Sequence, residues 1–376
     1  MSVTSVLLLV VGLVVLVVGG ELLVRGGSGL GRSLGLSPLL VGLTVVAFAT
    51  SAPELAVSTD AALSGAPGLA VGNVVGSNIT NVLLVLGLAA LVLPVGVRAQ
   101  LVRTDVPVMI VASVVLLLLA LDGTISRLDG VLLVVALVVY VALSVRQALR
   151  RGAETSADGP EVRSRPLVDV ALVVVGVALL VLGARLLVSA ATTIAEAAGV
   201  SDLVIGLTVV AIGTSLPEAA TSVIAAVRGE RELAIGNVVG SNIFNIGAVM
   251  GISAGVADGG VPVDAAAVRF DIPVMVVVAV ALLPVVFTHG EIARWEAVLF
   301  LGYYAAYVTY LLLDAEDHDA LPAFSGVLVW FVLPLTAATL VVLSSHEVRR
   351  RREVRAAASA VATGSAEAGS RRRPPS

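Results

Sequence analysis

The chain has 376 residues, of which 58% are hydrophobic and only 13% are charged. Soluble globular proteins are about half apolar and about a quarter charged, so this composition excludes a soluble domain and predicts a polytopic membrane protein. Cysteine is absent, which excludes disulfide frameworks, thiolate nucleophiles and Cys-ligated metal centres. The formal net charge of −4 gives no case for nucleic-acid binding.

Apolar runs bounded by charged residues, Gly and Pro predict eleven membrane-spanning helices, since each span needs about 20 apolar residues. In chain order these predicted spans cover residues 3–24, 37–63, 68–93, 105–121, 129–148, 167–190, 201–227, 232–257, 270–287, 294–313 and 322–344. No positively charged segment precedes the first run, which does not fit a cleaved signal peptide. We therefore expect a genuine first span and an external N-terminus.

The positions of the arginines test this topology, because the chain contains no lysine. Alternating spans from an external N-terminus put 20 of the 23 arginines on the cytoplasmic side, as the positive-inside rule requires. The three external ones are Arg127, Arg185 and Arg269. We expect an integral protein of the plasma membrane, here the bacterial inner membrane, with a cytoplasmic C-terminus.

An internal duplication is the most specific feature of the sequence. Residues 42–54, GLTVVAFATSAPE, recur at 206–218 as GLTVVAIGTSLPE, and residues 72–81, GNVVGSNITN, recur at 236–245 as GNVVGSNIFN. Both matches lie 164 residues apart. Five predicted spans separate the copies, so corresponding helices cross the membrane in opposite directions. Inverted repeats around a central polar site are typical of secondary transporters that work by alternating access.

This duplication fixes the predicted domain organisation. The first inverted repeat covers residues 1–148, with its repeat motif at 42–81, and the second covers 167–313, with its motif at 206–245. A cytoplasmic linker, 149–166, joins them. An external acidic loop and extra helix follow at 314–345, and an Arg-rich disordered cytoplasmic tail covers 346–376.

Two glutamates lie deep in apolar spans. Glu54 is in the second predicted span and Glu218 is its mate in the seventh. An ionised carboxylate in hydrocarbon is costly and marks an ion pathway unless it is compensated. The alternative, a protonated carboxylate that only packs helices, explains a symmetric pair less well. Thr50 and Thr214 lie one turn before the glutamates on the same face, with Ser51 and Ser215 on the neighbouring edge.

A proline precedes each of these glutamates. Pro53 and Pro217 cannot donate a backbone hydrogen bond and clash with the carbonyl four residues back, which predicts loosened helices around 49–50 and 213–214. Free carbonyl oxygens at this depth are tolerated where they line a cavity or bind an ion. A purely structural kink would explain one proline but not a Pro-Glu pair that occurs twice.

The third and eighth predicted spans carry further polar residues on one face each. These are Ser77 with Asn81, and Ser241 with Asn245, each pair four residues apart. Asn73 and Asn237 continue these faces one turn earlier, where close packing through hydrogen bonds is the alternative to ion binding.

The collected candidate ligands are all oxygens. Hard cations such as Ca²⁺ take six to eight oxygen ligands, whereas transition metals favour His or Cys. The three histidines, His289, His318 and His346, lie outside the spans or at their ends, which fits neither zinc nor a histidine proton relay. One Ca²⁺ neutralises the two negative charges of the ionised glutamates, whereas three Na⁺ exceed them by one positive charge. Exchange of three Na⁺ for one Ca²⁺ would therefore be electrogenic.

These motifs resemble the α-repeats of the Na⁺/Ca²⁺ exchangers in the cation/Ca²⁺ antiporter superfamily, which carry G-x-T-x-x-A-x-x-T-S-x-P-E and G-N-x-x-G-S-N-x-x-N. The resemblance covers residues 1–313 and implies an all-α polytopic membrane protein with a ten-helix core of two inverted five-helix repeats. The span at 322–344 would be an eleventh, C-terminal transmembrane helix. Packing on the core, support of a homo-oligomer and simple anchoring are its three candidate roles.

The resemblance also implies a ligand set. The central Ca²⁺ site would use Glu54 and Glu218 with backbone oxygens of two threonines. The two threonines would be Thr50 and Thr214. The flanking Na⁺ sites would use Ala47, Ser51, Ser77, Ala211, Ser215 and Ser241, and the two central asparagines would be Asn81 and Asn245. Three Na⁺ exchanged for one Ca²⁺ is likewise implied. Both ions are transported, and we expect no cofactor.

Two departures within the superfamily bear on the coupling ion. Potassium-dependent members and some prokaryotic members carry Asp where this chain has Asn245, which disfavours K⁺ cotransport. Proton-coupled relatives replace the Thr-Ser-x-Pro-Glu motif with a Gly-Asn-Ala-x-Glu type of motif, which is absent here and which favours Na⁺ over H⁺.

The sequence thus predicts a secondary active antiporter, not an enzyme, that exchanges Na⁺ for Ca²⁺ by alternating access and exports Ca²⁺ electrogenically. The alternative is a Ca²⁺/H⁺ or other divalent-cation antiporter. A passive channel, an intramembrane hydrolase and a membrane scaffold explain the duplicated oxygen ligands less well. The expected partners are Ca²⁺, Na⁺ and the lipid bilayer, with no nucleic acid and with a homo-oligomer left open.

Overall fold

In a computed structural model, the chain is almost entirely helical. The structure describes residues 3–155, 166–198, 209, 211–287, 290–316, 318–339, 341, 342 and 345. The helices of this part are α1 Val3–Leu34, α2 Pro38–Thr50, α3 Ala52–Leu63, α4 Pro67–Val92, α5 Leu101–Asp122, α6 Arg127–Thr155, α7 Pro166–Ala197, α8 Ala211–Thr214, α9 Leu216–Val227, α10 Arg231–Val256, α11 Ala267–Phe287, α12 Arg294–Ala315 and α13 Leu321–Thr339.

Within the described ranges, nine helices are long and apolar enough to cross a membrane, and α2 with α3 forms a tenth span as a bent pair. The predicted all-α polytopic fold class is therefore confirmed. The seventh predicted span corresponds to α8 and α9, and its residues 201–208 and 210 lie outside the described residues. The predicted tail 346–376 and most of the linker, 156–165, also lie outside them.

Several predicted boundaries were too short. The first span ends at Leu34 rather than at residue 24, and the sixth continues to Ala197 rather than to 190. Segment 25–34 resembles a loop because it is rich in Gly and Arg, but its glycines pack against neighbouring helices: a Cβ on Gly26 would lie 2.7 Å from the Asp169 carbonyl oxygen. The linker predicted from 149 begins as helix, since α6 reaches Thr155.

Both proline-containing spans are broken just before the glutamate. Ser51 has φ −79° and ψ 3°, and α2 and α3 meet there at 44°. Ser215 has nearly the same backbone geometry, with φ −88° and ψ 3°. Pro53 and Pro217 lie in the first turn of the helix that follows, a position that lacks an intrahelical acceptor for the amide hydrogen. The break is one residue beyond the predicted loosening at 49–50 and 213–214.

Helical segments with π geometry recur at related positions of the two halves. In α4 the π segment is Asn81–Val85, and in α10 it is Asn245–Met250. The others are Gly42–Val46 in α2, Leu101–Asp105 in α5, Ala267–Asp271 in α11 and Leu328–Val332 in α13. Insertions of this type are frequent at functional sites, and here two of them start at candidate ligand residues. The sequence did not predict them.

Four short strands tie the two halves together. Strand β1 (Val95–Gly96) pairs antiparallel with β4 (Glu291–Ile292), and β2 (Thr124–Ile125) pairs antiparallel with β3 (Val261–Pro262). Strand β1 follows α4 and β3 follows α10, so each sheet joins the end of one repeat-related helix to the other half. These strands were not predicted, because each has only two residues.

Ion pairs at the helix ends show that α4 and α10 run in opposite directions. Arg98, after α4, pairs with Glu232 at the start of α10. Arg127, at the start of α6, donates to Asp258, after α10, at 3.0 Å. A third pair joins Glu21 of α1 to Arg228 after α9. This antiparallel arrangement is the one that inverted repeats predict.

Helices α1 and α7 pack along each other in antiparallel orientation with direct backbone contact. The contact glycines recur every seven residues and are Gly12, Gly19 and Gly26 in α1 and Gly176 and Gly183 in α7. A Cβ on Gly176 would lie 2.6 Å from the Leu23 backbone nitrogen, and one on Gly183 would lie 2.6 Å from the Leu16 nitrogen. Small residues allow membrane helices to approach this closely. We call these five residues the glycine seam.

The extra helix α13 packs on α12. The Tyr303 hydroxyl donates to the Val332 carbonyl at 3.4 Å and also bonds to Thr336. Trp330 remains 82% exposed. Of the three roles open for this helix, packing on the core is the one that these contacts support.

A close contact between α2 and α10 gives a stability prediction. A Cβ on Gly236 would lie 2.6 Å from the Leu39 carbonyl oxygen, so Gly236→Ala requires the two backbones to separate. We expect a loss of about 1–3 kcal/mol of stability, measured as a lower melting temperature in detergent. Gly302→Ala is the matched control, since Gly302 is an exposed helical glycine with open space around it, and the alanine should leave stability unchanged or raise it. Equal melting temperatures for both variants would contradict the close packing.

Candidate ion-binding site

Glu54 and Glu218 come together in the interior from the two halves of the chain. Both side chains are fully buried, at 0% exposure, in the first turns of α3 and α9. The two carboxylates lie close enough to repel each other. The Thr50 hydroxyl interacts electrostatically with Glu218, but among the described residues no donor makes a hydrogen bond of good geometry to any of the four carboxylate oxygens. A charge buried in this way needs a cation or a proton to compensate it.

The other buried carboxylates in the described part of the chain each accept at least one hydrogen bond. Asp105 accepts from the Tyr140 hydroxyl at 3.0 Å and from the Gln100 amide at 3.4 Å. Glu296 accepts from the Ala293 backbone nitrogen at 2.8 Å and caps α12. Among the described acids, Glu54 and Glu218 are therefore distinguished by having both carboxylate oxygens buried without a hydrogen-bond partner.

Most of the predicted hydroxyl ligands are buried. Thr50 is buried at the end of α2, where it donates to the Asn237 side-chain oxygen at 3.1 Å and lies 3.3 Å from the Ser241 hydroxyl. The other predicted members that are buried are Ala47, Ser51, Ser77, Ser215 and Ser241, and Thr214 is half-buried. Ala211 belongs to α8, and its side chain lies outside the described residues.

Two asparagines brace the glutamate helices. The Asn73 amide donates to the Glu54 carbonyl at 3.2 Å and to the Ser58 hydroxyl at 2.8 Å. Asn237 makes the equivalent bonds in the second half, at 3.4 Å to the Glu218 carbonyl and 3.0 Å to a serine hydroxyl. These contacts support the packing role that the sequence left open for both asparagines.

Four further asparagines form a cross-linked group, the amide quartet of Asn78, Asn81, Asn242 and Asn245. The Asn81 amide donates to the Asn242 side-chain oxygen at 3.1 Å, and Asn245 donates to Asn78 at 3.1 Å. The side-chain oxygens of Asn81 and Asn245 accept no hydrogen bond from the described residues. Their amide nitrogens are thus used within the quartet, and their oxygens remain available as ligands.

Sequence reasoning missed Asn78 and Asn242. A signal was present, because both are identical in the two copies of the motif at the common offset of 164. Each lies one residue after a serine that was chosen and three before an asparagine that was chosen, on a different helical face. Their role is visible only once α4 and α10 are placed side by side.

Each glutamate-bearing helix packs against a π segment of the opposite half. Helix α3, which carries Glu54, packs against the π segment that starts at Asn245. Helix α9, which carries Glu218, packs against the π segment that starts at Asn81. The ligand candidates are carboxylate, hydroxyl, amide and carbonyl oxygens, and the described residues contain no cluster of His, Cys, Asp and Glu of the kind that holds a transition metal. This donor set suits hard cations.

The two halves cover the site unequally. Gly72 is exposed and Asn73 is half-buried on α4, whereas their repeat mates on α10, Gly236 and Asn237, are fully buried. The difference arises because α2 packs directly against α10 at Gly236. The first turns of α4 are therefore less covered by the rest of the protein than the first turns of α10.

Comparisons with known proteins agree with this site. A family model described as sodium/calcium exchanger protein matches residues 4–146 and 168–313, most of the chain. The inner membrane protein YrbG of Escherichia coli is 38% identical over 285 residues, 73% of this chain and 86% of that protein. The sodium/calcium exchanger MaX1 of Methanosarcina acetivorans is 32% identical over 349 residues, 83% of this chain and 99% of that protein.

Solved structures give the same result for the fold. The sodium-calcium exchanger NCX_Mj, soaked with 2.5 mM Na⁺ and 0.1 mM Ca²⁺, matches with a TM-score of 0.71 at 31% identity, over 82% of this chain and 99% of that one. The match was expected from the repeat motifs. On the family model, the relatives and the fold together, the chain belongs to the sodium/calcium exchanger family of membrane antiporters.

Proposed function

We propose that this family member exchanges Na⁺ for Ca²⁺ by alternating access and exports Ca²⁺ electrogenically across the plasma membrane. The observation that carries the proposal is the pair of fully buried carboxylates of Glu54 and Glu218, whose oxygens accept no hydrogen bond of good geometry from the described residues. One Ca²⁺ neutralises this pair, and three Na⁺ exceed it by one charge. Each cycle at that ratio moves one net positive charge.

The ligand assignment is part of this proposal. Glu54 and Glu218 bind Ca²⁺ together with backbone oxygens of the two threonines. These threonines are Thr50 and Thr214. Na⁺ uses the flanking positions Ala47, Ser51, Ser77, Ala211, Ser215 and Ser241, and Asn81 and Asn245 supply amide oxygens between them. Burial of nearly all of these residues supports the assignment.

Charge neutralisation enforces the exchange. Moving the empty site through an occluded state would carry two unpaired buried charges, which costs several kcal/mol or more. Loading with Ca²⁺ or with Na⁺ removes that cost. The transporter therefore crosses only in a loaded state, and each crossing with one ion is followed by a return with the other.

The proposed moving part is the pair α1 and α7, which slides against the remaining helices. Direct backbone contact along the glycine seam supports their movement as one unit. With an external N-terminus, α4 starts on the external side, and the exposure of Gly72 and Asn73 supports external access in the present conformation. The close packing of Gly236 against α2 then belongs to the closed cytoplasmic side.

We propose the same orientation for the whole chain, with a cytoplasmic C-terminus. Arg98, Arg228 and Arg294 meet the ends of helices on the side assigned to the cytoplasm. The proposed units are the two inverted repeats expected from the sequence, 1–148 and 167–313, with the last helix of the first repeat extended to Thr155, and the unit 314–345.

The test is ⁴⁵Ca²⁺ uptake into proteoliposomes under an outward Na⁺ gradient or under a pH gradient without Na⁺. Uptake should require internal Na⁺. An inside-positive potential, set by valinomycin with external K⁺, should accelerate it, because net positive charge leaves as Ca²⁺ enters. Protein-free liposomes are the control, and uptake that ignores the potential would contradict electrogenic exchange.

A Ca²⁺/H⁺ antiporter is the second candidate function. The same buried carboxylates favour it, since protonation of Glu54 and Glu218 would neutralise the site as well as Na⁺ does. Uptake driven by the pH gradient alone would establish this alternative. Absence of Ca²⁺ flux under both gradients would refute calcium as the substrate.

A further inference from the structure

We propose that two buried methionines, Met109 and Met275, are positioning residues for the ion site. Neither sulfur makes a hydrogen bond to a candidate ligand of the transported ions in the described structure. Their sulfur atoms fix the direction of the quartet amides, and the quartet then aims two amide oxygens at the cation. The inference rests on the proposed function for its readout, but its geometry is independent of the coupling ion.

The two methionines occupy equivalent places in the two halves. Met109 lies on α5 and Met275 on α11, at 0% and 2% exposure. The Met109 sulfur accepts a hydrogen bond from the Asn242 amide at 3.5 Å, and the Met275 sulfur accepts one from Asn78 at 3.5 Å. Each sulfur thus comes from a helix that supplies none of the predicted ligands.

Each bridging amide has a second acceptor. Asn242 also donates to the Asn78 backbone carbonyl at 3.2 Å, and Asn78 donates to the Asn242 carbonyl at 3.3 Å. Both hydrogens of each amide nitrogen are therefore used. Its side-chain oxygen is left to face the asparagine of the opposite repeat.

The direction of an Asn side chain is decided by its surroundings, because its oxygen and nitrogen ends have nearly the same shape. Thioether sulfur and backbone carbonyl oxygen can accept a hydrogen bond but cannot donate one. Two acceptors therefore hold the nitrogen end of Asn242, so its oxygen end points to Asn81. Asn81 must then donate, at 3.1 Å, and its own oxygen is left outside the quartet.

An equivalent series of hydrogen bonds runs from Met275 through Asn78 to Asn245. In both cases an acceptor-only sulfur, together with a backbone carbonyl, fixes one amide so that the next amide presents oxygen and not nitrogen to the site. A reversed amide would present N–H to a cation, which repels it. Met is thus favoured over an equally large hydrocarbon at these two positions.

Replacement of Met by Leu tests this inference, since Leu conserves the volume but accepts no hydrogen bond. Met109→Leu and Met275→Leu should each raise the half-saturating Na⁺ and Ca²⁺ concentrations of exchange about two- to tenfold, the equivalent of one neutral hydrogen bond. Met250→Leu is the matched control, because Met250 is buried on α10 and its sulfur has no hydrogen bond in the described structure. It should leave both constants unchanged.

A double-mutant cycle separates positioning from packing. Met109→Leu should add little to Asn81→Ala, because the amide that it orients is gone, whereas its effect should multiply with that of Asn245→Ala. If Met109 only fills space, its effect multiplies with both. Met109→Leu constants equal to wild type, or multiplication with Asn81→Ala, would overturn the inference.

Equilibrium ⁴⁵Ca²⁺ binding to the purified protein repeats the cycle where a variant no longer exchanges. It also separates the two claims. Wild-type protein that binds Ca²⁺ without Na⁺-driven uptake would refute the proposed exchange. The same binding data would still confirm or refute coupling between Met109 and Asn81.

Discussion

Glu54→Gln and Glu218→Gln should each reduce Na⁺-driven ⁴⁵Ca²⁺ uptake to the level of protein-free liposomes. Glutamine keeps the shape of the side chain and removes its charge. With one carboxylate left, a bound Ca²⁺ carries an uncompensated positive charge in the protein interior, which costs about 3–5 kcal/mol, or more than a hundredfold in affinity.

The same two variants should remain folded. Neither carboxylate accepts a hydrogen bond from the described residues, so the substitution breaks no such contact and removes a buried charge. We expect a melting temperature in ion-free buffer at or above that of the wild type, together with loss of the stabilisation that Ca²⁺ confers. The matched control is Glu296→Gln. Glu296 is a buried glutamate that caps α12, and glutamine at this position can still accept a hydrogen bond from the Ala293 backbone nitrogen. Ca²⁺ uptake by this variant should persist. Substantial uptake by Glu54→Gln would contradict the two-carboxylate site.

The second large effect concerns α1 and α7, the pair of helices proposed to move. The chain contains no cysteine, so two introduced cysteines are its only thiols. Glu21→Cys with Arg228→Cys, bridged by a bifunctional methanethiosulfonate reagent, should abolish exchange, because it fastens α1 to the segment after α9. Reduction with dithiothreitol should restore the flux. These positions form an ion pair in the present conformation and lie outside the ion site.

A tether inside the pair is the matched comparison. A Cβ on Gly12 would lie 3.1 Å from the Leu186 Cβ, slightly below the separation of about 3.5–4.5 Å found in disulfides. Gly12→Cys with Leu186→Cys should therefore cross-link α1 to α7 without lowering exchange below that of the reduced double mutant, which is the reference because the new Cβ also lies 3.0 Å from the Leu187 backbone nitrogen. Flux that is blocked by both tethers would show that α1 and α7 move relative to each other. Flux that survives the Glu21–Arg228 tether would refute sliding of α1.

The helical fold and much of the site could be predicted because both follow from local, repeated signals. Glu54 and Glu218 are conspicuous as charges in apolar spans, and their identical surroundings at one offset make coincidence untenable. Pro53 and Pro217 marked the broken helices, since a missing N–H acts within one turn. These signals need no knowledge of which helices are neighbours.

The remaining features depend on neighbours and were therefore hidden. Met109 and Met275 are indistinguishable from other apolar residues in a sequence, and only the opposite half shows that their sulfurs accept hydrogen bonds. The π segments at Asn81 and Asn245 need packing across the two halves to form. The end of α1 was missed because the Gly-rich segment 25–34 is held helical by α7 and α2 and not by its own helix propensity.

The ion pair between Glu21 and Arg228 has no equivalent ion pair at the repeat-related positions of the other half. The repeat mate of Glu21 is Arg185 and that of Arg228 is Ser64. In a perfectly duplicated chain, alternating access would merely exchange the roles of the halves, and the inward-open and outward-open states would be degenerate in free energy. Only departures from the duplication can lift that degeneracy.

Glu21–Arg228 is one such departure, and it stabilises the conformation seen here. Both side chains are partly exposed, at 42% and 37%, so the bias is at most about 1 kcal/mol, a population ratio of about five to one. It follows that mutations at these two positions should redistribute the transporter between its resting states without altering intrinsic ion affinity. The resting state of this antiporter is thus encoded apart from its selectivity, in residues that no transported ion touches.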